Sequence, residues 1–246
     1  VRGEPLAFLL DVEGTTTPLD FVTGVLFPHA RAHLAEYLAR HFEDSETSAD
    51  VRGLHAEHIR DTALGRNPPP WTSTPGAAAR YALWLMDEDR KVTALKALQG
   101  RIWEEGFLGG QLEGVVYEDV PRAFARWHRA GRTIAIFSSG SVLAQKLLFG
   151  HSNAGDLTPF LAAYFDTTTG PKGEAPSYAR IAAALRHEPR FVLFVSDVAA
   201  ELDAARAAGL ETALCLRQGA GPVAPAHRTI RSFDELVGQA PSPTNL

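Results

Sequence analysis

The sequence predicts an α/β fold: a doubly wound parallel sheet whose first strand is parted from the others by a long helical insertion. Three observations carry this. Near-continuous apolar runs recur late in the chain, at 133–137 (TIAIF), 191–195 (FVLFV) and 212–216 (TALCL), as in strands covered on both faces. Helical stretches separate them, which implies parallel pairing. A further run of the same kind, LAFLL at 6–10, is divided from these by residues 22–118, where helical periodicity dominates and strand signal is weak.

Taken in order, LAFLL is the first strand. Within the insertion, Val92, Leu95, Leu98, Ile102 and Phe107 are spaced for one helical face. The proline-rich segment 67–76 (NPPPWTSTPG) breaks helix from helix. A strand–helix–strand crossover rarely needs so many residues. Residues 23–118 are therefore expected to form a separate helical domain inserted into a core made of 1–22 and 119–246, with hinges near 20–24 and 114–121. TIAIF leads into the helix SVLAQKLLFG, and FVLFV leads into VAAELDAARAAG, which ends at Gly209 in a C′ position. The last residues, QAPSPTNL, read as a frayed tail.

Composition narrows the function classes. With 246 residues, 45% hydrophobic and 22% charged, the chain can bury a core without staples. A net charge of −5 argues against a nucleic-acid partner bound through a broad basic surface. The single cysteine, Cys215, excludes an intrachain disulfide and a cysteine-rich zinc framework, and in TALCLR it reads as a buried small hydrophobe. No apolar stretch approaches the roughly 18 residues that span a bilayer, so no membrane partner is expected. Leu6–Leu10 is too short for a signal segment and runs straight into Asp11 and Glu13. The expectation is a cytoplasmic protein. His29 and His33 are spaced to share a helix face, and His55 and His58 read as a solvated one. Trp84, Trp103 and Trp127 read as core, and Trp71 as an exposed aromatic.

The informative feature is what stands at the strand ends, where open α/β sheets bind ligands. LAFLL ends in Asp11-Val12-Glu13-Gly14-Thr15, TIAIF in Ser138-Ser139-Gly140-Ser141 and FVLFV in Ser196-Asp197, while Lys172 sits in a Gly/Pro loop between the last two. Mg²⁺-assisted phosphoryl transfer wants this set. A carboxylate, Asp11, attacks phosphorus and forms an aspartyl-phosphate. Asp11 and Asp197 suit a Mg²⁺ that neutralises carboxylate and phosphate together. Ser138, Ser139 and Gly140, just before a helix, suit the phosphate oxygens, and Lys172 supplies a compact positive charge. Glu13, two residues from Asp11, points to the same side in extended backbone and is placed to protonate the leaving oxygen and then activate water. Thr15, Thr16 and Thr17 read as a structural turn, and Ser141 as a plain helix cap.

DVEGTT, SSGS, the loop lysine and VSDV resemble the four signature regions of the haloacid-dehalogenase-like (HAD) superfamily of aspartate-nucleophile phosphatases. Most of that superfamily has Asp where this chain has Glu13. That departure, with the blocks DRKVTALKALQGRIWEEGF, VVYEDVP and YFDTTTGPKGEAPSY, resembles its enolase-phosphatase (acireductone synthase) branch, over about residues 6–218. The resemblance implies a HAD-like core with a helical cap that closes over the site. It implies a small-molecule phosphate ester as substrate, 2,3-diketo-5-methylthiopentyl 1-phosphate of methionine salvage, which is enolised and then dephosphorylated. It further implies one Mg²⁺ per site and a monomer. Matched by motif, Asp11 is nucleophile and metal ligand, and Glu13 is acid/base within the metal site. Ser138 and Ser139 bind substrate, Lys172 the phosphate, and Asp197 is the second metal carboxylate. Glu201 is expected to orient Lys172 or a metal-bound water. The enolisation base stays open between Glu13 and a cap residue. The lysine loop reads Gly-Pro-Lys where Gly-His-Lys is expected in many relatives, which leaves Pro171 unexplained. On residues alone, a phosphatase for another small ester and a non-catalytic phosphate-binding protein also stand.

Overall fold

The structure, a computed structural model, describes residues 4–217 and 226–236; the stretch QAPSPTNL lies outside them. The described chain divides into two compact units, one of residues 1–19 and 113–246, the other of residues 20–112.

The first unit is built on six parallel strands: β1 (Ala7–Leu10), β2 (Thr133–Phe137), β3 (Ala163–Phe165), β4 (Val192–Ser196), β5 (Glu211–Cys215) and β6 (Arg228–Ile230), in the order β3-β2-β1-β4-β5-β6. Ala7 pairs with Thr133 on one side and with Val192 on the other. The order reverses between β1 and β4, so the crevice that doubly wound sheets use for ligands opens at the C-terminal ends of those two strands. Successive side chains point to opposite faces of the sheet. Ala7 and Leu9 therefore join Ala135, Phe137, Val192 and Phe194 in one buried layer with Tyr178 and Ile181 of helix α8 (Ala175–Ala184) and Leu202 of helix α9 (Ala199–Ala207). Phe8 faces the other way and stacks on Trp127 of helix α6 (Asp119–Arg129) at 3.8 Å between ring centroids. Helix α7 (Val142–Gly150) brings Phe149 to the same side, 6.1 Å from Phe124.

Four of the six strands fall where the apolar runs predict them. The short β3 and β6 were not anticipated. They pair on one side only, at the sheet's two edges, so neither needs an apolar run on both faces. Gly209 takes the left-handed conformation (φ 88°) just past α9, as its C′ reading requires. Cys215 is fully buried, and burial pushes its thiol pKa up to about 12, which leaves it unreactive near neutrality.

The second unit is helical. A short turn α1 (Leu19–Phe21) passes through a π-helical turn into α2 (Phe27–His41), followed by α3 (Ser45–Ala63), α4 (Pro75–Asp87) and α5 (Thr93–Leu108). Helix α4 starts where its sequence dictates: Thr74 caps it by accepting from the Ala77 N–H at 3.3 Å, and Pro75 occupies the first turn. The periodic residues of α5, Leu95, Leu98, Ile102 and Phe107, are all buried. Between α3 and α4 lies a buried polar knot. Asp61, fully buried, accepts from Tyr81 Oη at 2.6 Å and from Arg90 Nη1 at 3.0 Å. Burial works against its carboxylate, but those partners outweigh burial and hold its pKa below the ordinary value. His55 is exposed, as a solvated face requires, but His58 is half-buried. His55 stacks on Trp71 at 4.9 Å, and His58 bonds the Pro69 carbonyl at 2.9 Å, so the proline-rich break folds back onto α3 and Trp71 is half-buried. The rings of His29 and His33 lie 4.1 Å apart on one face of α2.

Removing one member of a buried ion-paired set strands the charge of the other. Asp61→Ala is expected to destabilise the protein by about 3 kcal/mol or more, read as a lower urea midpoint for loss of helical circular dichroism; an unchanged midpoint would mean that Arg66, Arg90 and Tyr81 find water instead.

Candidate active site

The sheet delivers the charged residues by simple continuation of its strands. Asp11 follows β1 and still donates its N–H to the Val195 carbonyl at 3.0 Å, so the end of β4 fixes its position. The residue is buried, 4% exposed. Lys172 reaches it from the loop before α8: Nζ donates to Asp11 Oδ1 at 2.5 Å and pairs with Glu201 Oε2 at 2.7 Å. Ser196, the last residue of β4, donates to Glu201 Oε2 at 3.1 Å and accepts from the Val198 N–H at 3.1 Å. The ammonium is thus held between two carboxylates, the second being Glu201 from the first turn of α9. Burial alone would lower the Lys172 pKa; Asp11 and Glu201 outweigh it and raise it above the usual lysine value. For Glu201 burial dominates and its pKa rises, with Lys172 opposing.

The lysine loop is tied down through its carbonyls. Ser177 Oγ donates to the Pro171 carbonyl at 2.8 Å, Tyr178 Oη to the Lys172 carbonyl at 2.6 Å, and Arg180 Nε to the Thr169 carbonyl at 2.7 Å. Pro171 offers no N–H, and these three bonds ask for none. Sequence reasoning missed Ser177, Tyr178 and Arg180, whose only signal was their place in the first turns of the helix after the loop.

Ser138 is buried at the end of β2, and its Oγ accepts from the Gly140 N–H at 3.0 Å. Ser139 and Gly140 are half-exposed at the same turn. Gln145 of α7 donates to both the Gly140 carbonyl (3.0 Å) and the Phe165 carbonyl (2.9 Å), bracing the turn against β3. Ser141 is the helix cap, accepting from Ala144 N–H at 3.2 Å.

The segment after Asp11 is a tight loop. The N–H groups of Thr15, Thr16 and Thr17 all point at the Val12 carbonyl, at 3.2, 3.0 and 2.9 Å. All three threonines are fully buried, as a structural turn demands. The backbone bends at Val12, and Glu13 bridges to Thr17 across the loop. Gly14 has φ 71°, and a Cβ on it would overlap the Asp197 carboxylate; the loop and the end of β4 meet at this glycine.

Asp197 is half-buried. Burial, and then the negative charge of Asp11, push its pKa up to about 6. The site gathers more carboxylate, from Asp11, Asp197 and Glu201, than its one lysine neutralises. This fits Mg²⁺, which takes one or two carboxylates and keeps water for the rest. Among the described residues no group of three or more His, Cys, Asp or Glu side chains is placed to hold a metal ion. Among the described residues no helix is long and apolar enough to cross a membrane.

Comparison with known proteins adds the following. The family model of haloacid dehalogenase-like hydrolases matches residues 6–209. The enolase-phosphatase E1 of Synechococcus elongatus is 54% identical over 93% of this chain and 96% of its own. That of Drosophila ananassae is 45% identical over 90% of this chain and 88% of its own. The chain is also 44% identical to a probable bifunctional methylthioribulose-1-phosphate dehydratase/enolase-phosphatase E1 of Vitis vinifera, where it spans 46% of the longer protein. Among solved structures, the UTR4 protein of Saccharomyces cerevisiae aligns with a TM-score of 0.77 at 32% identity, over 94% of this chain and 99% of that one.

The raised pKa of Asp197 has a sign. Between pH 3.8 and about 6 the folded protein keeps a proton that the unfolded chain has lost, so stability without metal falls as pH rises through that window and stays lower above it. In EDTA at pH 8, Asp197→Asn is expected to melt above the wild type. Adding Mg²⁺ should raise the wild-type Tm and leave Asp197→Asn unmoved. A variant that melts lower in EDTA would show that Asp197 is not a charge held at a cost. Gly14→Ala is expected to abolish catalysis, since both φ and the Asp197 contact forbid a side chain there.

Proposed function

The chain belongs to the enolase-phosphatase E1 family of haloacid dehalogenase-like hydrolases, and from that membership and the site we propose that it converts 2,3-diketo-5-methylthiopentyl 1-phosphate to the acireductone in methionine salvage. The single observation that carries this is the buried Asp11, held by Lys172 at 2.5 Å, in a chain 54% identical to an enolase-phosphatase E1 over nearly its full length. Residues 20–112 are the inserted helical cap, and the protein acts as a cytoplasmic monomer on a small phosphate ester.

The substrate is first enolised by loss of a proton α to a carbonyl. Asp11 then attacks phosphorus, the bond from phosphorus to the substrate oxygen breaks, and the phosphoryl group passes to the Asp11 carboxylate. Glu13 gives the leaving oxygen its proton, and afterwards takes one from the water that attacks the aspartyl-phosphate. Inorganic phosphate leaves and both acids return to their starting states. Lys172 balances charge on the phosphoryl oxygens, and Glu201 keeps its ammonium aimed at Asp11. The Ser138–Gly140 turn, ahead of α7, receives the remaining phosphoryl oxygens through hydroxyl and N–H donors. Asp11 and Asp197 would hold a Mg²⁺, which would supply the positive charge that lets a carboxylate and a phosphate ester come together.

The test follows enol absorbance and free phosphate together on the diketone phosphate, with Mg²⁺ and with EDTA. Both signals are expected, both Mg²⁺-dependent for phosphate release, and phosphate is expected to vanish in Asp11→Asn. Phosphate released only from sugar or glycolate esters would replace this reading with a plain phosphatase. No phosphate from any ester would replace it with a binding protein.

A further inference from the structure

We propose that Arg217 is a positioning residue for phosphoryl transfer, a buried clamp that fixes the loop carrying Glu13 and locks it against Asp11 and Asp197. The inference rests on the proposed roles of those acids.

Arg217 stands two residues beyond β5 and touches none of the acids just named. Its side chain is 7% exposed, an unusual burial for an arginine. The guanidinium lies between two aromatic rings, 4.4 Å from the Tyr117 centroid and 4.6 Å from that of Phe233, which fixes its plane. Within that plane Nε donates to the Thr15 carbonyl at 2.8 Å, and Nη1 donates to Asp119 Oδ2 at 2.6 Å. Asp119, at the start of α6, also accepts from Ser232 Oγ at 3.0 Å and from the Phe233 N–H at 2.5 Å. One end of the clamp is thus anchored in rigid scaffold and the other grips the loop.

The loop depends on such a grip. Its amides turn inward to the Val12 carbonyl, which leaves the carbonyls of Thr15 and Thr16 facing outward. Arg217 takes the first, and the Tyr117 N–H takes the second at 3.0 Å. A shift of the loop has two direct routes to the reacting groups. Thr16 Oγ1 donates to the Asp11 carbonyl at 3.0 Å, and Gly14 abuts Asp197 with no room to spare. A lysine can fill neither role fully: it is a point charge, without the planar fork that reaches a carbonyl and a carboxylate at once or stacks between two rings.

The experiment compares wild type, Arg217→Lys and Asp119→Asn, normalised to folded protein, by kcat and KM for phosphate release and by amide exchange of residues 14–17. Sub-ångström displacement of reacting groups costs rate rather than affinity, so kcat in Arg217→Lys should fall about tenfold or more with KM changed less than about twofold. Exchange at 14–17 should quicken while β1 and β4 stay protected. Asp119→Asn, which leaves Arg217 on Thr15 but loosens its anchor, should shift both readouts the same way and less far, and it decides the matter if Arg217→Lys does not fold. A kcat held at the wild-type value, with or without faster exchange, overturns the proposal and makes Arg217 merely structural; so does unchanged exchange. A wild type that hydrolyses no ester overturns the proposed function instead, and the exchange rates, which need no turnover, then decide the clamp.

Discussion

The structure turns on a charge imbalance buried at one end of a sheet. Three carboxylates, Asp11, Asp197 and Glu201, gather around one ammonium, Lys172, which is bonded to two of them. A carboxylate taken out of water without a partner is costly, and Asp197 expresses that cost as a raised pKa. The remedy is a cation of the right hardness, and the protein's architecture keeps the demand for one intact. Asp11 cannot retreat, because its N–H continues the β1–β4 ladder. Lys172 cannot swing to Asp197 without breaking from Glu201. The sheet's rigidity is what holds the unfavourable cluster together.

Most of that arrangement can be read from the residues. β1, β2, β4 and β5 are legible because burial on both faces demands unbroken apolar runs. The acids and serines that end three of them are legible because a strand's end is where an open sheet exposes chemistry. What is hidden has a physical reason in each case. β3 and β6 are three-residue edge strands, held by pairing more than by burial. His58 and Trp71 look solvated, but the proline-rich segment that carries Trp71 returns onto α3, a contact distant in sequence.

Arg217 is the most instructive of the hidden residues. An arginine just past a buried strand looks, in sequence, like an ordinary end to an apolar run. Its meaning appears only when Tyr117, Asp119 and Phe233 are brought around it from two other segments. The same holds on the lysine side, where Ser177, Tyr178 and Arg180 bond the carbonyls of the loop. In both places side chains from the scaffold grip backbone oxygens, which lets the loops vary in sequence while their paths stay fixed. Pro171 illustrates the freedom this gives: a residue without an N–H sits next to the central lysine, and the bonds from Ser177, Tyr178 and Arg180 are accepted by carbonyls.

The two loops differ in how they meet the charge cluster. The lysine loop delivers a cation whose distance to Asp11 is set by its own ion pair, so small errors of backbone are absorbed by a flexible four-carbon stem. The Val12–Thr17 loop has no such slack. It begins directly after Asp11, holds the Asp11 carbonyl through Thr16, and passes Asp197 at a glycine that tolerates no side chain. Stiffness is therefore needed on that side and not on the other. The molecule supplies it with a planar guanidinium stacked between rings rather than with another lysine.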